Sequence, residues 1–446
     1  MTRVLLVVAC GLAASAEAAN VYVRQGAAGN GSGSDWTNAF GSLPADLTRG
    51  DVYYVADGTY GPYTFDDGNS GSTPITVKKA TIADHGTDFG WSNSYGDGQA
   101  VFGGFTFVTD FWTIDGSTRN ENAWNDGPSY GIKVESVFTN YFAFGHASDN
   151  VTLKYLDIGL DYGDVQLPAY NTLTLIYLGG FVETAENWLV QRCYLHNANV
   201  IGQHAGVHSV VYEYNFIGPN WSKTAIRHQG RGSSVTIRYN VFRNACQGNP
   251  NDPTTGSSCT AIVGWYGNAG SINEDYSNSA VYGNMFIDTR GVVFYNAVVI
   301  MGDDRSAQGG GPQNCSACKT FNNTFIGMGR LEISSQIGLR FAGNIVNSEA
   351  RNNIFYDIGN RTAFCSAAAC SNNPTITDGG IFVNPGGENF QLAADGAAGI
   401  GNALSSPYNA DMRGNIRGAD GTWDLGAFEF VSGRVRPVAP LNLRVR

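Results

Sequence analysis

Between residues 204 and 228 the chain gathers His204, His208, Lys223, Arg227 and His228, the densest collection of proton-transfer groups in the sequence. An imidazole can take a proton near neutral pH, and a guanidinium beside it can hold the negative charge that develops as the proton leaves. The segments GIKVES at 131, TLTLIY at 172, AGVHSV at 205, AIRHQG at 225, AIVGWYG at 261 and GVVFYN at 291 align as one strand that recurs in successive units. Alternation turns Ile132, Val207, Ile226, Ile262 and Val292 inward, and Lys133, His208, Arg227 and Val263 outward. The interval from His208 to Arg227 is close to one unit, which predicts that the two stand about 5 Å apart on one outer face.

Arg227, His208, Lys223 and His228 are therefore the candidate catalytic residues. His228 follows Arg227 and points inward by alternation, so the role of a hydrogen-bonded core histidine competes with a catalytic one. Lys223 sits at the strand entrance, where its long stem reaches the same cleft. Lys133 and the series Trp265, Tyr266 and Tyr295, with Ile176, suit contact with a sugar chain. Glu213 and Glu183, with Glu135, Asp161 and Asp164, are the candidate cation ligands; Glu213 and Arg238 hold matching places in their units and could equally form a structural ion pair.

A phrase that returns along the chain must position these residues: an apolar strand, an Asn, one residue, then a large apolar residue. It reads YNFIG at 214, YNVFRN at 239, GNMFID at 283, NNTFIGM at 322 and NNIFYDIG at 352, with degenerate copies RCYLHNA at 192 and KYLDIG at 154. The leading positions are 156, 193, 215, 240, 284, 323 and 353, with gaps of 37, 22, 25, 44, 39 and 30. A short β-rich unit that stacks on copies of itself is a solenoid, and here a parallel β-helix. The longer gaps fit one coil with a side loop, or two coils with one worn phrase. A repeated Asn tolerates left-handed backbone at a corner and can bond to the Asn one coil above, so these residues are scaffold.

Composition agrees. Charged residues are 15%, aromatics 12% and Gly 58 of 446, which suits an all-β chain with many turns. The net charge of -11 argues against nucleic acid or an anionic membrane as partner. Residues 1–18 combine Arg3, an apolar run from Val4 to Ala14 and Ala16-Glu17-Ala18, the pattern of a secretory signal peptide, and no other segment is long and apolar enough to span a membrane. The expected destination is extracellular or periplasmic, with surface attachment as an alternative. Three close cysteine pairs, Cys246 with Cys259, Cys315 with Cys318 and Cys365 with Cys370, predict small disulfide loops, and Cys193 is left over as a buried hydrophobe in the ladder phrase. Residues 19–100 form an N-terminal cap and first coils, with a short helix at 40–47; regular coils with side loops fill 101–360; 361–432 hold C-terminal coils and cap; 433–446 read as a linker-like tail.

The stretch KTAIRHQGRGSSVTIRYNVF from 223 to 242 resembles the right-handed β-helix polysaccharide lyases of the alginate lyase and chondroitinase B type. The closing DMRG and DLGAFE segments resemble the C-terminal end of many exported proteins of the pectate-lyase superfold. The resemblance implies a single-stranded right-handed parallel β-helix acting on a uronate-containing polysaccharide by β-elimination. It also implies Arg227 in the place of the family Arg and Ca²⁺ neutralising the uronate carboxylate. Where the family has a Lys one coil earlier, this chain has His208, and Glu213 is the carboxylate nearest the expected cation. A glycan-binding module without turnover and a structural or adhesive surface protein are the competing classes. Glycoside hydrolysis ranks lower, because the adjacent acidic pair, Asp303-Asp304, lies in a Gly-rich loop.

Overall fold

The computed structural model describes residues 18–136, 144–145, 148–160, 174–179, 184–198, 200–219, 224–245, 263–265, 276–288, 297–301, 314–327, 337–341, 344–357, 363–365 and 369–431. Three parallel sheets wind through these residues. The first has twelve strands, from Asn20–Val23 to Ala369–Ser371; the second has eleven, from Gly58–Tyr60 to Thr375–Ile376; the third has nine, with Phe144–Gly145 at one edge and Ala363–Cys365 at the other. From Trp112–Asp115 onward the chain passes in turn through a strand of the first sheet, a corner, a strand of the second and a strand of the third, while earlier Tyr63–Phe65 and Phe105–Phe107 pair with each other in a separate two-stranded sheet. The chain is thus an all-β, single-stranded parallel β-helix, right-handed as parallel crossovers within a sheet are. No helix among the described residues is long and apolar enough to cross a membrane.

The corner between the first and second sheets explains the repeated phrase. Asn215, Asn240, Asn284, Asn323 and Asn353 are buried and bonded in a continuous ladder. The backbone N–H and side-chain amide of each donate to the Oδ1 of the next, at 2.9–3.0 Å from Asn240 to Asn284 and at 3.0 Å from Asn284 to Asn323. Asn373 adds a rung that the phrase did not reveal, accepting from Asn353 at 2.8 Å. The rung residues are not the left-handed ones, contrary to expectation. That conformation falls one residue earlier, at Tyr155, Arg192, Tyr214, Tyr239, Gly283, Asn322, Asn352 and Asn372, so the Asn side chain is free to turn inward. Cys193 occupies a rung position, fully buried with a free thiol pushed up to about 12 by desolvation.

Inside the second sheet, Phe242, Phe286, Phe325 and Phe355 stack at centroid separations of 4.7, 4.9 and 4.8 Å, the spacing of the strands that carry them. Each such pair adds about 0.5–1.5 kcal/mol beyond its buried area. Residues 40–47 form no helix. Phe40 instead bridges Val23, while Leu43 and Leu47 pack into the core.

The C-terminal segment lies against the outer face of the second sheet. Phe382, Phe390, Leu425 and Phe428 share an apolar cluster with Val241, Met285 and Ile354. Glu388 receives Arg243 at 2.7 and 2.9 Å, and the Ala427 N–H donates to Thr324 Oγ1 at 2.9 Å. The DLGAFE motif is thereby accounted for as packing. Cys315 and Cys318 are joined by a disulfide and Cys370 is also disulfide-bonded, while Cys246 and Cys259 lie outside the described residues.

Candidate functional site

Coil length varies on one side of the helix only. From the first-sheet register row Leu189, Val211, Thr236, Ala280, Lys319 and Glu349, the ladder position always follows after the same short step, at 193, 215, 240, 284, 323 and 353. From ladder position to the next first-sheet strand the path is uneven. It is short from 193 to Val211 and from 353 to Ala369, and long from 240 to Ala280 and from 284 to Lys319, so the variation lies on the way through the third sheet. The two longest gaps in the phrase, 240 to 284 and 284 to 323, are therefore single coils with long insertions. In solenoids such insertions gather on the binding face, because the packed corner cannot absorb them. The outer face of the third sheet is the candidate site.

Backbone register fixes what stands on it. Gly202, Ile226, Val263, Val299 and Leu339 form one row, and the next row runs Tyr177, Gln203, Arg227, Gly264, Ile300, Arg340 and Phe364. Ile176, Ile226, Val263 and Leu339 are buried in the core while Tyr177 and Arg227 are partly exposed, which makes the second row the outward one. Arg227 thus faces outward as alternation predicted. Val263 does not: it aligns with Ile226 and points inward, and Ile176 is likewise buried. A one-residue error in alignment inverts the face, and the reading of AIVGWYG from sequence is off by that one residue. The strand that pairs with Val263–Trp265 is Ala297–Met301, whereas GVVFYN lies outside the described residues.

The expected pairing of His208 with Arg227 is overturned by the same register. Arg227 stands opposite Gln203 on the preceding coil, and His208 stands opposite Ser233 on the following one. His208 is therefore five positions further along the strand, roughly 15 Å from the row of Arg227. Its Nδ1 lies 3.1 Å from Ser233 Oγ, and its other register neighbour is Glu186. The interval from 208 to 227 is shorter than a coil on this path, and a ruler taken at the ladder corner does not carry over to the third sheet.

His228 and its partner His204 lie in the helix interior. His204 is fully buried, with Nε2 3.0 Å from the Tyr212 hydroxyl; His228 is 2% exposed, with Nδ1 3.4 Å from Nδ1 of His204 and its ring edge-on to Tyr276. Desolvation pushes His204 down to about 3 and His228 well below its ordinary value. Both are neutral, and the sheet separates them from its outer face. They are core histidines rather than catalytic groups.

Lys133 also changes place. Its strand, Ile132–Ser136, belongs to the second sheet, where Lys133 is ion-paired with Glu135 and stands in register with Asp157. Asp157 in turn holds His196 Nε2 at 2.7 Å. Glu213 accepts Arg238 Nε at 2.6 Å, and Gln191 bonds its other oxygen, so its carboxylate is committed to the ion pair. Among the described residues no group of three or more His, Cys, Asp or Glu side chains converges as metal ligands would. Lys223, Tyr266, Tyr295, Glu183, Asp161 and Asp164 lie outside the described residues; Trp265 follows Gly264 in its strand, in register with His228. The sequence reading missed Gln203, Gly264 and Arg340 as neighbours of Arg227 in the row. Aligning the third-sheet strands by their own uneven spacing, rather than by that of the ladder, would have found them.

No family model and no curated protein matches the chain. Among solved structures it is similar to pectate lyase Pel9A, at 13% identity over 93% of this chain and 96% of that one, with a TM-score of 0.47. It is also similar to the catalytic unit of a GH87 alpha-1,3-glucanase from Streptomyces thermodiastaticus, at 11% identity over 74% and 65% of the two chains, with a TM-score of 0.30. A third similarity is to the pectin methylesterase of Aspergillus niger, at 12% identity over 81% and 87%, with a TM-score of 0.24.

Proposed function

We propose that this protein is exported and acts on an acidic, uronate-containing polysaccharide held against the outer face of the third sheet, where Arg227 meets a uronate carboxylate. The observation that supports this best is the position of Arg227. It is a partly exposed arginine on the outward row of the sheet beside which coil length varies, in a chain of net charge -11. The planar fork of an arginine matches a carboxylate in two hydrogen bonds. The leader-like residues 1–18 and the Cys315–Cys318 disulfide favour an oxidising compartment.

Cleavage by β-elimination would use the same contact. As a base removes the C5 proton, charge moves toward the carboxylate, and Arg227 stabilises it. The base must stand within hydrogen-bond reach of that proton. His208 is too distant, and His204 and His228 are inside, which leaves Lys223, shortly before Arg227 in the chain, as the candidate. A second reading, glycan binding without turnover, is favoured by the immediate neighbours of Arg227 in the row, Gln203 and Gly264, neither of which takes a proton.

Ultraviolet absorbance of unsaturated uronides, measured on alginate, pectate and glycosaminoglycans beside retention on gels containing them, separates the readings. Absorbance that rises supports the lyase; retention without absorbance supports the binding module; neither overturns the proposal.

A further inference from the structure

We infer that Ser233 and His208 form a nucleophile and base pair for the hydrolysis of carboxylic esters, at the corner between the third and first sheets. The pair is separate from the row of Arg227. That its substrate is an O-acyl group on a sugar rests on the polysaccharide reading above.

A polar row repeats along this corner. Asp110 Oδ1 accepts the Asp149 N–H at 2.9 Å, Asp149 Oδ1 accepts the Glu186 N–H at 2.7 Å, and His208 Nδ1 accepts the Ser233 N–H at 3.3 Å. Such a rung asks only for an acceptor, and carboxylates supply it in the earlier coils. His208 and Ser233 bring more. A backbone N–H can only donate, so Nδ1 presents its lone pair and the proton of the neutral ring sits on Nε2. The Ser233 hydroxyl, 3.1 Å from the same Nδ1, is therefore the donor in that contact. This is the orientation in which an imidazole takes the proton of a serine as its oxygen attacks. Both residues are partly exposed, and Glu186 stands in register with His208 on the coil before, so acid, imidazole and hydroxyl follow in one row.

The backbone is shaped for the contact. Gly206 pairs with Arg231 where His204 pairs with His228, so the later strand carries one extra residue before Ser233. A bulge of this kind re-aims the side chains beyond it, and bulges gather beside active sites. Gly232 then takes φ +144°, where a Cβ would meet the Val207 carbonyl oxygen at 1.9 Å. Only a glycine lets the two strands close so tightly immediately before Ser233.

In the first step Ser233 Oγ bonds to the acyl carbon, its proton passes to His208 Nδ1, and the alcohol leaves with that proton. In the second, water attacks the acyl carbon and gives a proton to Nδ1, the acid departs, and the proton returns to Ser233 Oγ.

The test is labelling of the whole chain by a fluorophosphonate, located by peptide mass, beside hydrolysis of 4-nitrophenyl acetate and release of acetate from acetylated pectin and acetylated alginate. The wild-type chain is expected to be labelled at Ser233 and to turn over all three esters. Ser233→Ala, which keeps the rung N–H, is expected to lose the label and about 100-fold or more in kcat/KM. His208→Asn keeps an acceptor for that N–H, as Asp149 does in its own coil, and is expected to lose as much. His208→Gln replaces it if the melting temperature falls. Full activity in either His208 variant would reduce His208 to a rung and overturn the pair, as would a wild-type chain neither labelled at Ser233 nor active on the aryl ester. Turnover of the aryl ester without acetate from either polymer overturns the sugar ester as substrate and leaves the pair standing.

Discussion

Asn240 and Asn284 are far apart in sequence and one coil apart in space, where the Asn240 side-chain amide donates to Asn284 Oδ1 at 3.0 Å. The same oxygen accepts the Asn240 backbone N–H at 2.9 Å, and the Asn284 amide continues to Ile237 O and Asn323 Oδ1. Asn284→Ala removes all of these at once inside the core. Each buried polar group left without a partner costs about 1–3 kcal/mol, so a loss of at least about 3 kcal/mol is expected in chemical denaturation. A loss below about 1 kcal/mol would show that the ladder is dispensable.

Cys193 offers the converse test. Its sulfur lies 3.3 Å from Gln191 O and 3.7 Å from Leu153 O, the places where the other rungs direct their amide donors, and its N–H already donates to Asn215 Oδ1 at 2.8 Å. Cys193→Asn should extend the ladder by one rung and raise stability by about 0.5–1.5 kcal/mol, the net worth of an added internal hydrogen bond. A fall in melting temperature would show that the pocket cannot accept the amide.

The two cationic candidates on the third sheet should now separate. Arg227→Ala is expected to keep the melting temperature within a few degrees, because the side chain faces outward, and to lose most uronate binding or turnover. His208→Ala, five positions away beside Ser233, should retain both. Equal loss in the two variants would place them in one site and contradict the register.

Acid should loosen the core at a defined place. His204 has an ordinary value of 6.5 and is held down to about 3 by burial, so the unfolded chain takes up this proton before the folded one. Its contribution to stability is complete above pH 6.5 and is lost as pH falls toward 3, by up to about 5 kcal/mol, since one pKa unit is about 1.36 kcal/mol. Glu429, pushed up from 4.5 to about 7 by burial, acts in the opposite sense, and its contribution is lost as pH rises across that interval. His204→Leu should therefore flatten the acid limb of a plot of melting temperature against pH and leave the limb above neutrality unchanged. An unaltered acid limb would assign it to other groups.

Glu213 and Arg238, bonded across one coil at 2.6 Å, should behave as a pair. Glu213→Gln and Arg238→Met are each expected to cost about 1–2 kcal/mol and to show coupling in a double-mutant cycle, with no dependence on calcium or chelator. Calcium-dependent stability that disappears in Glu213→Gln would instead assign Glu213 the metal role.

The coil and its ladder were legible in the sequence because they obey local rules: a strand period of two, a fixed step from strand to Asn, and a corner that every coil repeats. Arg227 was legible for the same reason, since alternation within a single strand fixes which face its side chain takes. What the sequence could not supply was register across the third sheet. There the coils differ greatly in length, and nothing local says how much of each insertion precedes the strand. Hydrogen bonding between coils decided it, pairing Arg227 with Gln203, moving His208 away, turning Val263 inward and bringing Arg340 into the same row across three coils. Spacing along a chain measures distance only where every coil is equally long, and the candidate site lies where they are not.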